Sequence, residues 1–187
     1  MATYEEIYGK RVEVLSADPT LETSYEGQVW FNSTSGTLKT VVATAAWSSG
    51  SPLLTAISYS FGGGTQTAAF STGGVAATAG KVQTEEYNGI GWSLGGDIGT
   101  ARYEGGSAGT QTAGLIFGGY EGPPAPSPYP KAQTEEYNGT SWSEQNDLNN
   151  AGYSQGGFGI QTAAVYSNRG LSPGNLNDTE EYDGTSW

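Results

Sequence analysis

The nine residues TEEYNGTSW at 134–142 decide how the chain is read. Near-copies stand at 84–92, as TEEYNGIGW, and at 179–187, as TEEYDGTSW. A second phrase precedes each copy: TQTA at Thr65–Ala68 and Thr110–Ala113, and IQTA at Ile160–Ala163. Trp92, Trp142 and Trp187 close the nine-residue phrases. With Trp47 as an earlier, degenerate member, successive spacings are 45, 50 and 45 residues. From Trp47, Trp92 and Trp142 the next QT phrase begins 18 residues on in every case. All variation in length falls between TQTA and TEEY, where the middle copy has five extra residues. Constant segments interrupted by one variable stretch describe a stacked repeat whose insertions lie on one face.

Each repeat reads as four short strands. In the middle one, Arg102–Ala108 is a glycine-rich strand, Gly109–Gln111 its turn, and TAGLIF at 112–117 an apolar strand ending at Gly118–Gly119. GGYEGPPAPSPYP at 118–130 is a loop, because its prolines cannot donate to a ladder. Residues 133–137 alternate polar and apolar, Asn138–Gly139 is a two-residue hairpin turn, and Thr140–Ser143 is the last strand, around Trp142. A period of about 45 residues with four strands per unit is the signature of a propeller blade. The expected fold is therefore all-β, with antiparallel four-stranded blades at 57–101, 102–151 and 152–187. Residues 27–56 form a partial first blade, and 1–26 a short N-terminal attachment segment. Because the last copy ends at Trp187, inside a strand, the chain is expected to continue further, with a ring shared among several chains as the alternative.

Composition narrows the chemistry. The 187 residues include 30 Gly, 12 Tyr and 5 Trp, which suits short strands and tight turns. The formal charge is −12, from 19 acidic and 7 basic residues, so the chain repels phosphate backbones and anionic bilayers. Nucleic acid is excluded as a partner on that ground. With neither Cys nor His, disulfides, zinc on thiolate or imidazole, Cys nucleophiles and His-based triads are excluded. The opening MATYEEIYGK has no basic n-region and no apolar h-region, so no signal peptide is visible, and no run of apolar residues is long enough to insert in a membrane.

Repeated carboxylates at Glu85/Glu86, Glu135/Glu136 and Glu180/Glu181 look like acid–base pairs, yet neighbours in a strand point to opposite faces. One edge-facing and one solvent-facing carboxylate per repeat is the expectation, with no catalytic pair. Asn175, Asn177 and Asp178 leave a calcium ligand set open, but no known calcium-loop pattern appears. Accordingly no catalytic residue, cofactor or metal is assigned. The repeated Tyr87, Trp92, Tyr137, Trp142, Tyr182 and Trp187, together with Trp47 and Gly118–Gly119, read as structural parts of the repeat. Ligand-binding candidates are the residues that break it: Tyr120, Glu121, Tyr129 and Lys131 in the proline-rich loop, and Asn168 and Arg169 in the corresponding loop of the third repeat.

LIFGGY…TEEYNGTSW resembles the kelch motif, an apolar strand ending in a double glycine, a Tyr after a loop, a short turn, then Trp. The likeness covers roughly residues 38–187 and is strongest in the middle repeat; AAFSTGG displaces the double glycine slightly, and AAVYSNRG lacks it. Arg102 stands where kelch blades often carry an Arg, whereas Ile57 and Gly152 hold that place in the neighbouring repeats. The wording GTQTA…FGG…TEEYNGTSW behind EGQVWFNSTSGTLK is more specific, and resembles kelch-like repeat proteins of marine tailed bacteriophages. That resemblance implies a virion structural protein of tail-fibre or decoration type, made in the host cytoplasm and present in many copies or as a homo-oligomer. Other virion proteins would hold residues 1–26, and the loops would meet a host-surface glycan. Kelch-type copper-radical oxidases need imidazole ligands and a Tyr–Cys pair, so the resemblance does not carry that activity. A kelch-type protein-binding adaptor and a carboxylate-only glycan-processing enzyme are the alternatives.

Overall fold

The computed structural model describes residues 12–19, 29–40, 49–77, 79–121, 129–171 and 174–187, without the side chains of 168, 169, 171 and 175. Trp47, most of the expected attachment segment and the proline-rich run at 122–128 lie outside the described residues. Among the described residues every regular element is a strand, and no helix is long and apolar enough to cross a membrane. The chain divides into Met1–Ser49 and Gly50–Trp187.

In the first division Glu13–Leu15 (β1) runs parallel to Val29–Asn32 (β2), which turns back antiparallel through Ser33–Gly36 into Thr37–Thr40 (β3). The VWFNSTSGTLK stretch at 29–39 is thus one hairpin, with Asn32 Oδ1 accepting the N–H groups of Thr34 and Ser35. A strand from the segment assigned to attachment joins its sheet. Asp18 staples the sheet, accepting from Trp30 Nε1 and Asn32 Nδ2 on one oxygen and from Lys39 Nζ on the other, at 2.6 Å.

The second division holds three repeated sheets. The first contains Phe61–Thr65 (β4), Ala68–Thr72 (β5), the side hairpin Val75–Ala76 (β6) and Ala79–Gly80 (β7), Thr84–Tyr87 (β8) and Trp92–Leu94 (β9). The second contains Gly106–Thr110 (β11), Ala113–Phe117 (β12), Thr134–Tyr137 (β14) and Trp142–Gln145 (β15), with Arg102–Tyr103 (β10) and Tyr120–Glu121 (β13) paired beside it as a two-stranded sheet of their own. The third contains Gly156–Ile160 (β16), Ala163–Leu171 (β17) and Gly174–Tyr182 (β18). Their strand orders are β4-β5-β8-β9, β11-β12-β14-β15 and β16-β17-β18, each an antiparallel meander.

Three local expectations are corrected. The glycine-rich strand of the middle repeat is not continuous: the chain kinks at Glu104, at φ +57°, and the hairpin turn falls at Gln111–Thr112 instead of Gly109–Gln111. Tyr59 and Ser154 repeat the positive φ at the equivalent positions. The NG turn spans four residues, not two, because Asn138 Oδ1 captures the N–H groups of Thr140 and Ser141 and Asn138 N donates to Ser141 O. Finally, the first double glycine is not displaced: Gly73–Gly74 and Gly118–Gly119 share φ values near +65° and +90° and make matching backbone bonds.

Those two positive-φ residues end the second strand of each sheet, a conformation glycine adopts freely. The third repeat has Asn168 and Arg169 in their place, and there the strand runs on. β17 and β18 make a nine-residue ladder with a register shift between Ser167 and Arg169. Asn168 and Arg169 therefore lie in a strand, not in a loop.

The first strands of the three sheets pack side by side, β4 on β11 and β11 on β16, backbone to backbone. A Cβ on Gly157 would stand 2.3 Å from Ser107 O, and Ser107 Oγ donates to Gly62 O at 2.7 Å. The core lies between adjacent sheets: Phe61, Phe70, Ile98 and Ile116 with Trp142, then Leu115, Phe117, Tyr166 and Tyr182 with Trp187.

Candidate functional site

The repeated phrase is an inter-sheet joining code. Trp142 Nε1 donates to Thr84 Oγ1 of the preceding sheet, and Trp187 Nε1 to Thr134 Oγ1. Tyr137 donates its hydroxyl to Glu86, and Tyr182 to Glu136. The glutamine of the QT phrase reaches back as well: Gln111 Nε2 donates to the carbonyls of Ala69 and Tyr87, Gln161 Nε2 to those of Gly114 and Tyr137. The first Glu of each tetrad takes N–H groups from the loop that enters its sheet, from Leu54 and Thr55 at Glu85, Gly99 at Glu135 and Asn149 at Glu180. Neither carboxylate of a TEEY tetrad faces solvent freely in the first two sheets, contrary to expectation, because both are spent on joining. Among the described residues no three acidic side chains gather to hold a metal.

Among the described residues of this region Arg102 is the one buried cation, with its side chain 0% exposed. Its guanidinium meets Glu135 at 2.8 Å, donates to the carbonyls of Gly118 and Gln133, and lies 5.8 Å from the Phe61 ring centroid. Burial lowers its pKa and Glu135 holds it up. Beside it, Gln155 is buried against Gly118 with neither amide atom bonded. Ile57 and Gly152 at the place of Arg102 explain why only the middle repeat has this anchor.

The loop end of the sheets carries the more open site. β10 and β13 pair, placing Tyr103 opposite Tyr120 and Arg102 opposite Glu121. Four tyrosines form a row: Tyr59 to Tyr103 at 6.3 Å between centroids, Tyr103 to Tyr120 at 5.6 Å, and Tyr120 stacked on Tyr153 at 4.0 Å. Tyr59 is 62% exposed and opens the row to solvent. Burial first, and then the adjacent Tyr153, pushes the Tyr120 hydroxyl above its usual range. Tyr129 is also exposed, and Lys131 Nζ pairs with Glu121 at 2.6 Å.

Of the residues expected to bind ligand, Tyr120, Glu121, Tyr129 and Lys131 converge here. Glu121 N donates to Tyr129 O, Lys131 N donates to Gly119 O, and Tyr120 bridges to Pro130. Asn168 and Arg169 reach this end through the backbone of Gly170, which pairs with Tyr153. Tyr59, Tyr103 and Tyr153 were missed by sequence reasoning. Tyr103 and Tyr153 stand at equivalent repeat positions, which was the available signal; Tyr59 sits one position later, at a strained φ of +58°. A belt of main-chain bonds supports the row, from Glu104 N to Tyr59 O and from Ser154 N to Glu104 O.

No family model and no curated protein matches the chain. Among solved structures, YjhT, a kelch-like β-propeller, superposes with a TM-score of 0.59 at 6% identity, over 82% of this chain and 47% of that one. This chain spans about half the length of that neighbour, and at such identity the likeness is one of fold alone.

Proposed function

We propose that this chain is a non-enzymatic virion structural protein, in which kelch-like propeller blades present a binding face to a host-surface glycan. The observation that carries the adhesive part is the tyrosine row. Aromatic rings present a flat apolar face with a polar edge, which suits the C–H face and hydroxyls of a pyranose. An ion pair of one carboxylate and one amine, Glu121 with Lys131, stands at its side to accept and donate. The row is held by main-chain bonds and strand pairing, so little ordering entropy opposes binding. The particle as location, with the N-terminal segment held by other virion proteins, rests on the phage-like wording of EGQVWFNSTSGTLK and the TEEY repeats.

The test is adsorption of the purified protein to a glycan array and to host-cell envelopes. Tyr59→Ala and Tyr129→Ala, both at exposed rings, are expected to weaken binding at least tenfold while leaving the melting temperature unchanged. Binding indifferent to both changes would remove the adhesive reading. A density map of the source particle without this chain would remove the virion reading separately.

A further inference from the structure

Tyr59, Glu104 and Ser154 stand at equivalent places in the three repeats, each with a left-handed backbone, at φ +58°, +57° and +54°. Main-chain bonds link them in a belt, Glu104 N to Tyr59 O and Ser154 N to Glu104 O. Glycine adopts that conformation without penalty, and the chain uses glycine at most of its other positive-φ positions among the described residues. Here it keeps three side chains instead, and three different ones: an aromatic ring, a carboxylate and a hydroxyl. Strain held at repeated positions whose side chains differ points to recognition, because the frame needs none of the three.

Glu104 is the member with unspent charge. It belongs to the middle repeat, so described sheets flank it on both sides. Its carboxylate is half-buried and makes no hydrogen bond or ion pair among the described residues. The cations of β10 and of the loop neck are already committed, Arg102 to Glu135 and Lys131 to Glu121. Negative charge from Glu104 is felt along the row: after burial it is the next cause lifting the Tyr103 hydroxyl above its usual range, and it adds to the rise at Tyr120. The rings of Tyr59 and Tyr103 are tilted by 47° at 6.3 Å between centroids, so a small cation in that wedge lies within about 6 Å of both.

The geometry points to a seat for an organic ammonium, in which Glu104 pairs with the cation and the rings of Tyr59 and Tyr103 cover it. Its bearer is an amino sugar of the bound glycan, so this inference rests on the glycan reading of the same row and narrows it to cationic saccharides. A chain of net charge −12 draws such a ligand and repels acidic sugars.

Calorimetric titration of the purified protein with a chitosan tetramer and a chitin tetramer tests it, because the two share a backbone and differ in a charged amine against a neutral acetamide. In buffer that protonates the amines and leaves carboxylates ionised, the chitosan is expected to bind at least tenfold tighter. Glu104→Gln and Glu104→Gly are each expected to erase that difference. Thermal melting checks that both variants remain folded, and glycine suits φ +57°. Tetramethylammonium, a cation with no sugar, is expected to shift the Tyr103 ring resonances in the native chain and not in Glu104→Gln. Equal binding of both tetramers, lost in Tyr59→Ala, keeps the glycan reading and overturns the ammonium seat. So does an amine preference that survives both Glu104 changes. A tetramethylammonium shift without any saccharide binding keeps the seat and overturns the glycan as its bearer. An unmoved Tyr103 resonance together with no saccharide binding overturns both.

Discussion

Arg102 brings a full positive charge into a place without water, and its neighbours are arranged to hold it there. Glu135 neutralises it through Nη2, and the carbonyls of Gly118 and Gln133 take the two N–H groups of Nη1, while Nε has no partner among the described residues. Removing one member of a buried pair leaves the other charge uncompensated, at a cost of about 3–5 kcal/mol. Arg102→Met is therefore expected to lower stability by that order in urea titration, and the double change Arg102→Met with Glu135→Gln to recover part of the loss. Gln155 poses the opposite case. Its amide is buried with both ends unbonded, and an unsatisfied buried polar group costs about 1–3 kcal/mol. Gln155→Leu keeps most of the volume and removes the penalty, so the melting temperature is expected to rise. A fall would mean that the amide makes a bond essential to the fold.

At the scale of elements, the joints between sheets decide stability. Tyr137 and Tyr182 carry hydroxyl pKa values pushed up to about 12, by burial first and then by the carboxylates of Glu86 and Glu136. A tyrosine whose folded pKa exceeds its unfolded value of about 10 stabilises fully below pH 10 and loses that contribution as pH rises to 12. Unfolding above pH 10 is expected to be steep, and less steep in Tyr137→Phe, as measured by urea midpoints across the alkaline range. Gly157→Ala would place a methyl group 2.3 Å from Ser107 O, and is expected to cost about 1–3 kcal/mol by forcing β16 away from β11. The sequence made this level partly legible. Spacing of Trp92, Trp142 and Trp187 located the repeats and most strands to within a few residues, because chemistry that recurs at every joint must recur in the letters. What the letters did not reveal was direction: that Gln111 and Tyr137 reach backwards, and that the Glu pairs are consumed in the joints, depends on the three-dimensional neighbour. The Tyr59–Tyr153 row stayed unread because its members come from separate repeats and touch only after the sheets stack.

At the scale of the molecule, the two divisions of the chain hold themselves together by different means. Residues 50–187 join through apolar contacts and through carboxylates held in the joints, Glu86 and Glu136 under tyrosine hydroxyls and Glu135 under Arg102. In residues 1–49 the Asp18 carboxylate is the hub, its pKa lowered to about 2 by Lys39 first and then Asn32 and Trp30. A carboxylate with depressed pKa contributes above its unfolded value of about 4 and loses that contribution as pH falls towards 2. Acid is thus expected to loosen the hairpin of the first division, seen as a shift of the Trp30 indole N–H resonance between pH 4 and pH 2. Asp18→Asn is expected to abolish the shift. The same resonance staying fixed to pH 2 would show that the hairpin needs no staple.

The neck of the proline-rich loop is closed by main-chain bonds, Glu121 N to Tyr129 O, Lys131 N to Gly119 O and Gly119 N to Gly152 O, with the Lys131–Glu121 ion pair beside them. None of those bonds depends on the letters written between Glu121 and Tyr129. A foreign epitope can therefore be spliced into that interval with the frame intact, and a directed-evolution library placed there would vary recognition while leaving the sheet joints as they are.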